Sequence, residues 1–316
     1  MVEYDPRFES HPYWDTRKDS FSEDVQNLVE HLVAPGVLDG MELDDDTKWA
    51  LIGILQALVN ENPPDFDDSY YEAERVIKRP DAHADLRTLT TEMLLYGADE
   101  WGDGMCQIII GSMSYGGGEL FPQDYEVAEK YYRLADANGV MQATINLGYV
   151  YEYGRLGKPD YAKAFEQFSR AAALGHPEAI YKLGDLYYRA EGVEQNVAYA
   201  LKLYERAYQI AHDDISGQAE FIGFRWSHSK FHAAQAAFRI AEIIVDPDDL
   251  VGITPNPHRA LELYLEAEPT VFAEVADHEH NERGGLLYSE RLEQILAGQE
   301  RARELLWENP GAFRRY

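Results

Sequence analysis

From residue 104 to residue 211 the small and apolar positions recur every 36 residues, giving units at 104–139, 140–175 and 176–211. The second and third align without gaps: Ala143, Leu147, Gly148, Tyr151, Ala164, Phe168, Ala171 and Gly175 meet Ala179, Leu183, Gly184, Tyr187, Ala200, Tyr204, Ala207 and Ala211. The first keeps Asp124, Ala128, Tyr132, Ala135 and Gly139 in register but carries Gly111 and Ser112 where the others have Leu-Gly. A stretched fourth unit spans 232–269, with Ala236, Ile240 and Ala241 ahead of Ala260, Tyr264 and Ala267 and a longer loop between them. Residues 212–231 are an insertion outside the period. Units of this length cannot bury an apolar face alone, so neighbours must stack.

Leu147, Gly148 and Tyr151 lie three and four apart, hence on one face of a helix. A glycine inside a helix costs roughly 1 kcal/mol relative to alanine. Gly148 and Gly184 therefore predict the close approach of a neighbouring helix. Ala164, Phe168 and Ala171 form a second stripe, which predicts a second amphipathic helix in each unit. Asp160 and Asn196 stand at N-cap positions, Gly139 and Gly175 where a helix ends in a left-handed residue, and Pro177 in a first turn. Each unit is predicted to be a helical hairpin.

In the flanks, Ser20 and Glu23 predict a capping box ahead of Val25, Leu28, Val29, Leu32 and Val33, with Pro35-Gly36 as the stop. Thr47 is expected to cap a helix bearing Trp49, Ile52, Leu55 and Val59 that stops at Asn62-Pro63-Pro64. Further helices are expected over 69–78 and 82–96. One long amphipathic helix carries Leu286, Leu292, Ile295, Leu296, Leu305 and Leu306. The chain thus divides into an acidic helical region at 1–103, of capping or degenerate-repeat type, repeats at 104–269, and capping helices at 270–316. Both flanks have the same physical task, since a stack needs ends that cover its last open face.

Charge narrows the choice of partners. The 57 acidic side chains against 28 Lys and Arg leave a formal net charge of -29. Residues 1–103 hold 25 acidic and 8 basic residues, a net of -17, which leaves -12 for the other 213. Such an excess argues against nucleic acid and anionic membrane surfaces, whose binding rests on clustered Lys and Arg. Cys106, the single cysteine, excludes an intrachain disulfide and a cysteine-based zinc site and points to a reducing compartment. The first residues show no basic start followed by an apolar run, and no stretch of 18 apolar residues occurs. A cytoplasmic location is expected.

The Leu-Gly-x-x-Tyr element (Leu147 to Tyr151, Leu183 to Tyr187), the Ala-x-x-x-Phe/Tyr element and the closing Ala-x-x-x-Gly (Ala135 to Gly139, Ala171 to Gly175) carry a resemblance. The chain resembles the Sel-like repeat family, a tetratricopeptide-type helical repeat, over 104–269. That resemblance implies an all-α, right-handed superhelix of hairpins whose leading helices line a concave groove. It also implies the groove positions: Gln142, Ile145, Tyr149, Glu152 and Tyr153 in the second unit, and Glu178, Tyr181, Asp185, Tyr188 and Arg189 in the third. The first unit offers Cys106, Ile109 and Met113, and the fourth Gln235, Phe238 and Glu242. Tyrosines among a few acids suit a peptide, since they supply rigid apolar area with one polar tip. The same tyrosines would alternatively pack between hairpins. Phe221, Phe224, Arg225 and Trp226 of the insertion either fold over one end of the groove or fill a gap between units.

Catalytic patterns are sparse. His228 and His232 share a helical face, but no glutamate follows His228, so the zinc-protease pattern fails. His278-Glu279-His280 would chelate only from an irregular backbone. Gly116-Gly117-Gly118 lacks the lysine of a phosphate loop and reads as a turn. Cys106 sits in an apolar stretch and is expected to be buried. Asp44-Asp45-Asp46, Asp65-Phe66-Asp67-Asp68 and Asp246-Pro247-Asp248-Asp249 lack the glycine and distal glutamate of a calcium loop. The expectation is a non-catalytic protein-binding adaptor without cofactor or metal, its partner a protein or peptide, a basic one favoured by the acidic field. The rivals are an acidic inhibitor or antitoxin-like protein that blocks a basic partner, and a metal-dependent hydrolase built on His228, His232 and His278.

Overall fold

The computed structural model describes residues 5–8, 13–59, 82–118, 120–216, 229–247, 252–277 and 282–308. Among the described residues the regular elements are helical and no strand occurs. The chain forms two compact units, Met1–Val150 and Tyr151–Tyr316.

The first unit opens with α1 (Tyr13–Arg17), α2 (Glu23–Leu32), α3 (Val37–Gly40), α4 (Asp45–Val59) and α5 (Ala84–Asp99). The helix expected over 69–78 and the Asn62-Pro63-Pro64 stop lie outside the described residues. Two predicted caps are corrected. Lys18–Ser20 is a 3-10 turn, so Ser20 cannot cap; Ser22 does, accepting the Val25 N–H at 3.3 Å. Asp44 rather than Thr47 caps α4, accepting the Thr47 N–H at 2.8 Å and the Thr47 hydroxyl at 3.0 Å. A carboxylate there also meets the positive end of the helix dipole. Trp49, expected on the apolar stripe, is 71% exposed, while Ala50, Leu51, Ile54, Leu55 and Leu58 face the core. Arg17, buried, closes the far end of α4 by donating to the carbonyls of Ala57 and Leu58 at 3.2 and 3.1 Å.

The first repeat is α6 (Gly104–Gly116) and α7 (Tyr125–Ala137), followed by α8 (Met141–Glu152). Gly111, not Ser112, fills its glycine position: a Cβ there would stand 2.7 Å from the Tyr132 ring, as one at Gly184 would stand 2.5 Å from Tyr204. The reason is a longer loop. In each hairpin the residue that opens the trailing helix donates its N–H to a carbonyl at the end of the leading one: Asp124 to Ser114 at 2.8 Å, Asp160 to Tyr151 at 2.9 Å, Asn196 to Tyr187 at 3.0 Å and Asn256 to Ile244 at 2.7 Å. The first of these spans one residue more than the next two. The extra residue is taken up at Gly116-Gly117-Gly118, where Gly117 has φ 78°. Buried Ile110 with Gly111 is thus the counterpart of Leu-Gly.

The second unit runs through α9 (Tyr161–Ala173), α10 (Pro177–Arg189), α11 (Val197–Ser216), α12 (Ser229–Ile244), α13 (Pro257–Asp277) and α14 (Glu282–Glu308). Each helix packs on the next in chain order, and α12 also touches both α10 and α14. Leading helices therefore lie side by side, with α14 as the last of the row. Small-large-small stripes fill the space between layers: Ala164, Phe168 and Ala171; Ala200, Tyr204 and Ala207; Ala260, Tyr264 and Ala267, all buried. Asp160 and Asn196 cap as predicted, accepting from Lys163 and Tyr199 at 3.1 and 2.9 Å, and Gly175 ends α9 at φ 85°. Most of the insertion, including Phe221, Phe224, Arg225 and Trp226, lies outside the described residues.

Candidate functional site

The leading helices of the second unit enclose charge that the repeat pattern does not require. The Gly184 contact seats Tyr204 against α10, and its hydroxyl donates to Asp185 Oδ1 at 2.9 Å. Arg239 of α12 grips the same carboxylate with both edges of its fork, Nε to Oδ1 at 2.6 Å and Nη2 to Oδ2 at 2.8 Å. Lys182 donates to Glu152 Oε1 at 2.7 Å and lies 3.7 Å from Asp185. Both ions of the Lys182–Glu152 pair are almost wholly buried.

Burial alone would push the Asp185 carboxyl up, but Arg239, then Lys182, hold it well below the usual carboxylate range. Burial lowers the Lys182 ammonium, yet Glu152 and Asp185 leave it raised on balance. The Glu152 carboxyl is raised by burial against the pull of Lys182. Tyr204 is raised by burial and by the Asp185 charge, so its hydroxyl stays a donor.

Above this floor opens a pocket of about 210 Å³ bounded by Asp185, Tyr188, Arg189, Phe238, Arg239 and Arg291. Of the predicted groove residues, Asp185, Tyr188, Arg189, Phe238 and Glu242 meet around it. Glu152 reaches it through Lys182. Tyr181 is buried beneath the Arg239 guanidinium, 4.6 Å from its ring centre, and Phe238 is buried beneath Arg291 at 4.3 Å. Tyr153 and Tyr188 remain 47% and 41% exposed, and Glu178 is half-buried. Gln142, Ile145 and Tyr149 belong to the first unit: Gln142 is exposed and donates to Asn146, Tyr149 is half-buried, and Ile145 is core. Buried Cys106, Ile109 and Gln235 offer no surface, and Met113 is half-buried.

Sequence reasoning missed Lys182, Tyr204, Arg239, Arg291 and Gln294. Lys182 and Asp185, three apart on one helix, were a visible signal. Arg239 lies 54 residues from Asp185, and Arg291 reaches the pocket only because α14 ends the row of leading helices.

His228 and His278 of the hydrolase reading lie outside the described residues. His232 sits against His176 instead, ring centres 5.7 Å apart, and burial drops the His176 imidazole to about 3. Among the described residues no group of His, Cys, Asp or Glu is arranged to hold a metal ion. The acid runs, where described, cap or pair: Asp44 caps α4, and Asp246 accepts from Arg301 at 2.6 Å. No described helix is long and apolar enough to cross a membrane.

The Sel1 repeat model matches four stretches of the chain, residues 105–139, 142–176, 177–212 and 234–267. Among solved structures, a Sel1 repeat protein from Oxalobacter formigenes is similar at 19% identity, over 86% of this chain and 92% of that one, with TM-score 0.46. A protective antigen present in uropathogenic Escherichia coli strains, displaying an SLR fold, is similar at 14% identity over 94% of this chain and 73% of that one, with TM-score 0.39. No curated protein matches the chain.

Proposed function

The chain belongs to the Sel1 repeat proteins, and on that premise we propose that it is a non-catalytic binding module that holds a peptide or protein segment along α10 and α12. Sel1 repeat proteins generally mediate protein–protein interaction and are typically non-catalytic. One observation carries the finer reading: Tyr153 and Tyr188 stay exposed beside a floor whose other side chains are locked in ion pairs. Rigid aromatics next to a pre-organised polar surface are what binding hot spots are made of, because little side-chain entropy is lost on contact. Glu178, Arg189 and Glu242 supply the polar rim.

The test is selection of binders from a random-dodecapeptide display library on the full chain. Replacing both tyrosines, Tyr153→Ala with Tyr188→Ala, should weaken the selected peptides by roughly 10- to 100-fold while thermal melting stays unchanged. No enriched peptide, or binding indifferent to the pair, would contradict the proposal.

A further inference from the structure

The pocket over Asp185 has an uneven charge balance. Its lining includes the three guanidiniums of Arg189, Arg239 and Arg291 against the two carboxylates of Asp185 and Glu242. Both carboxylates are already engaged. Asp185 accepts Arg239 through both oxygens and Tyr204 through one, and Glu242 accepts the Tyr264 hydroxyl. Arg239 spends Nη1 on the Gln235 carbonyl and side-chain oxygens, both at 2.9 Å. The other two arginines are held more loosely. Among the described residues Arg189 has only long ion-pair contacts, 4.0 Å to Glu152 and 3.9 Å to Glu191, and its side chain is 46% exposed. Arg291 makes no ion pair among the described residues and rests on the Phe238 ring. A chain of net charge -29 has thus gathered loosely paired cations at one partly enclosed place.

We propose that this pocket is a carboxylate subsite, in which Arg291 and Arg189 take one Asp or Glu side chain of the segment bound along α10 and α12. The inference rests on the binding reading above and adds the chemistry of one residue in the partner. A guanidinium fork matches a carboxylate in shape and charge, and stacking on Phe238 fixes one fork in advance. The lining excess is a single positive charge, which one carboxylate neutralises and a phosphate dianion would overrun. A volume of about 210 Å³ admits a side chain but not a folded surface. Burial, then the nearby Arg239, pulls the Arg291 guanidinium down to about 10, a penalty that an incoming anion relieves. The acidic field of the chain favours basic partners at long range, while this pocket selects for an acid at short range.

The experiment is a double-mutant cycle on peptides selected from the random-dodecapeptide library, measured with the full chain. The selected peptides should share an acidic position. Its Glu→Gln or Asp→Asn replacement should weaken binding to the unaltered protein by about 10-fold or more, and by less than about 2-fold in Arg291→Met and Arg189→Gln. Exposed Arg189 is the second variant because its loss leaves the Phe238 packing intact. Peptides that bind without a shared acid, or whose acid matters as much in the two variants as in the unaltered protein, would overturn the subsite while the binding module stands. A library yielding no binder would overturn both.

Discussion

The leading helices of the first and third repeats hold the same architectural position and have opposite interiors. Both are closed by a glycine against a tyrosine ring, Gly111 on Tyr132 and Gly184 on Tyr204. Yet α6, Gly104–Gly116, carries no charged side chain, whereas α10 carries Glu178, Lys182, Asp185 and Arg189. The fold therefore asks only for the small residue and the ring. A buried ion pair contributes little to stability relative to an apolar pair of the same shape, because desolvation offsets the Coulombic gain. The charge in the third and fourth repeats is therefore not a requirement of the fold, and it is what the proposed binding draws on.

Removing one partner should break the comparison most severely. Arg239→Met leaves buried Asp185 without its bidentate cation, with Tyr204 as donor and Lys182 3.7 Å away, and should cost roughly 3–5 kcal/mol in denaturant unfolding. Gln107→Met in α6 removes a buried neutral donor to the Ala98 carbonyl, and should cost about 1–2 kcal/mol. Equal losses would mean the charged floor is no more consequential than a neutral bond.

Acid acts next. The His176 imidazole is held neutral to about 3 in the folded chain, against an ordinary value of 6.5. Below pH 6.5 the unfolded chain binds a proton that the folded chain refuses, so this contribution falls as pH drops from 6.5 towards 3. It is constant above that window. The loss should reach roughly 2–3 kcal/mol near pH 4.5, and His176→Gln should flatten that part of the melting profile.

Smaller still is the glycine pair. Gly184→Ala drives a methyl against a ring whose hydroxyl is anchored on Asp185, and should cost about 1–3 kcal/mol. Gly111→Ala should cost less, because the Tyr132 hydroxyl is held by neutral partners, a long 3.4 Å bond to Ser112 and Asn146, and its ring yields more easily. The least effect belongs to the exposed Glu129–Arg133 pair, where Arg133→Ala should change melting by under about 0.5 kcal/mol. A larger change there would mean that surface ion pairs carry stability in this chain.

Much of the fold was legible in the sequence because period, glycine and cap are local signals: Asp160, Asn196, Gly139 and Gly175 all act as their positions predicted. Errors arose where two capping residues stood close together. Ser22 competes with Ser20 and Asp44 with Thr47, and only geometry decides which oxygen reaches the free N–H groups. The one-residue slip at Gly111 arose because a longer turn left the trailing helix in register and shifted only the leading one. For the candidate site, the resemblance to the repeat family marked Asp185, Tyr188 and Arg189 as groove positions. It could not mark Arg239 or Arg291, which join them only through stacking of helices separated by the insertion. Nor could spacing tell that Tyr181 and Phe238 are buried under those guanidiniums while Tyr153 and Tyr188 stay open.

The most direct test is hydrogen–deuterium exchange on the full chain with and without a selected dodecapeptide. Protection concentrated in α10, α12 and α14, with α9, α11 and α6 unchanged, is the predicted result. Protection confined to the trailing helices, or to α6, would contradict the assignment of binding to the charged leading face.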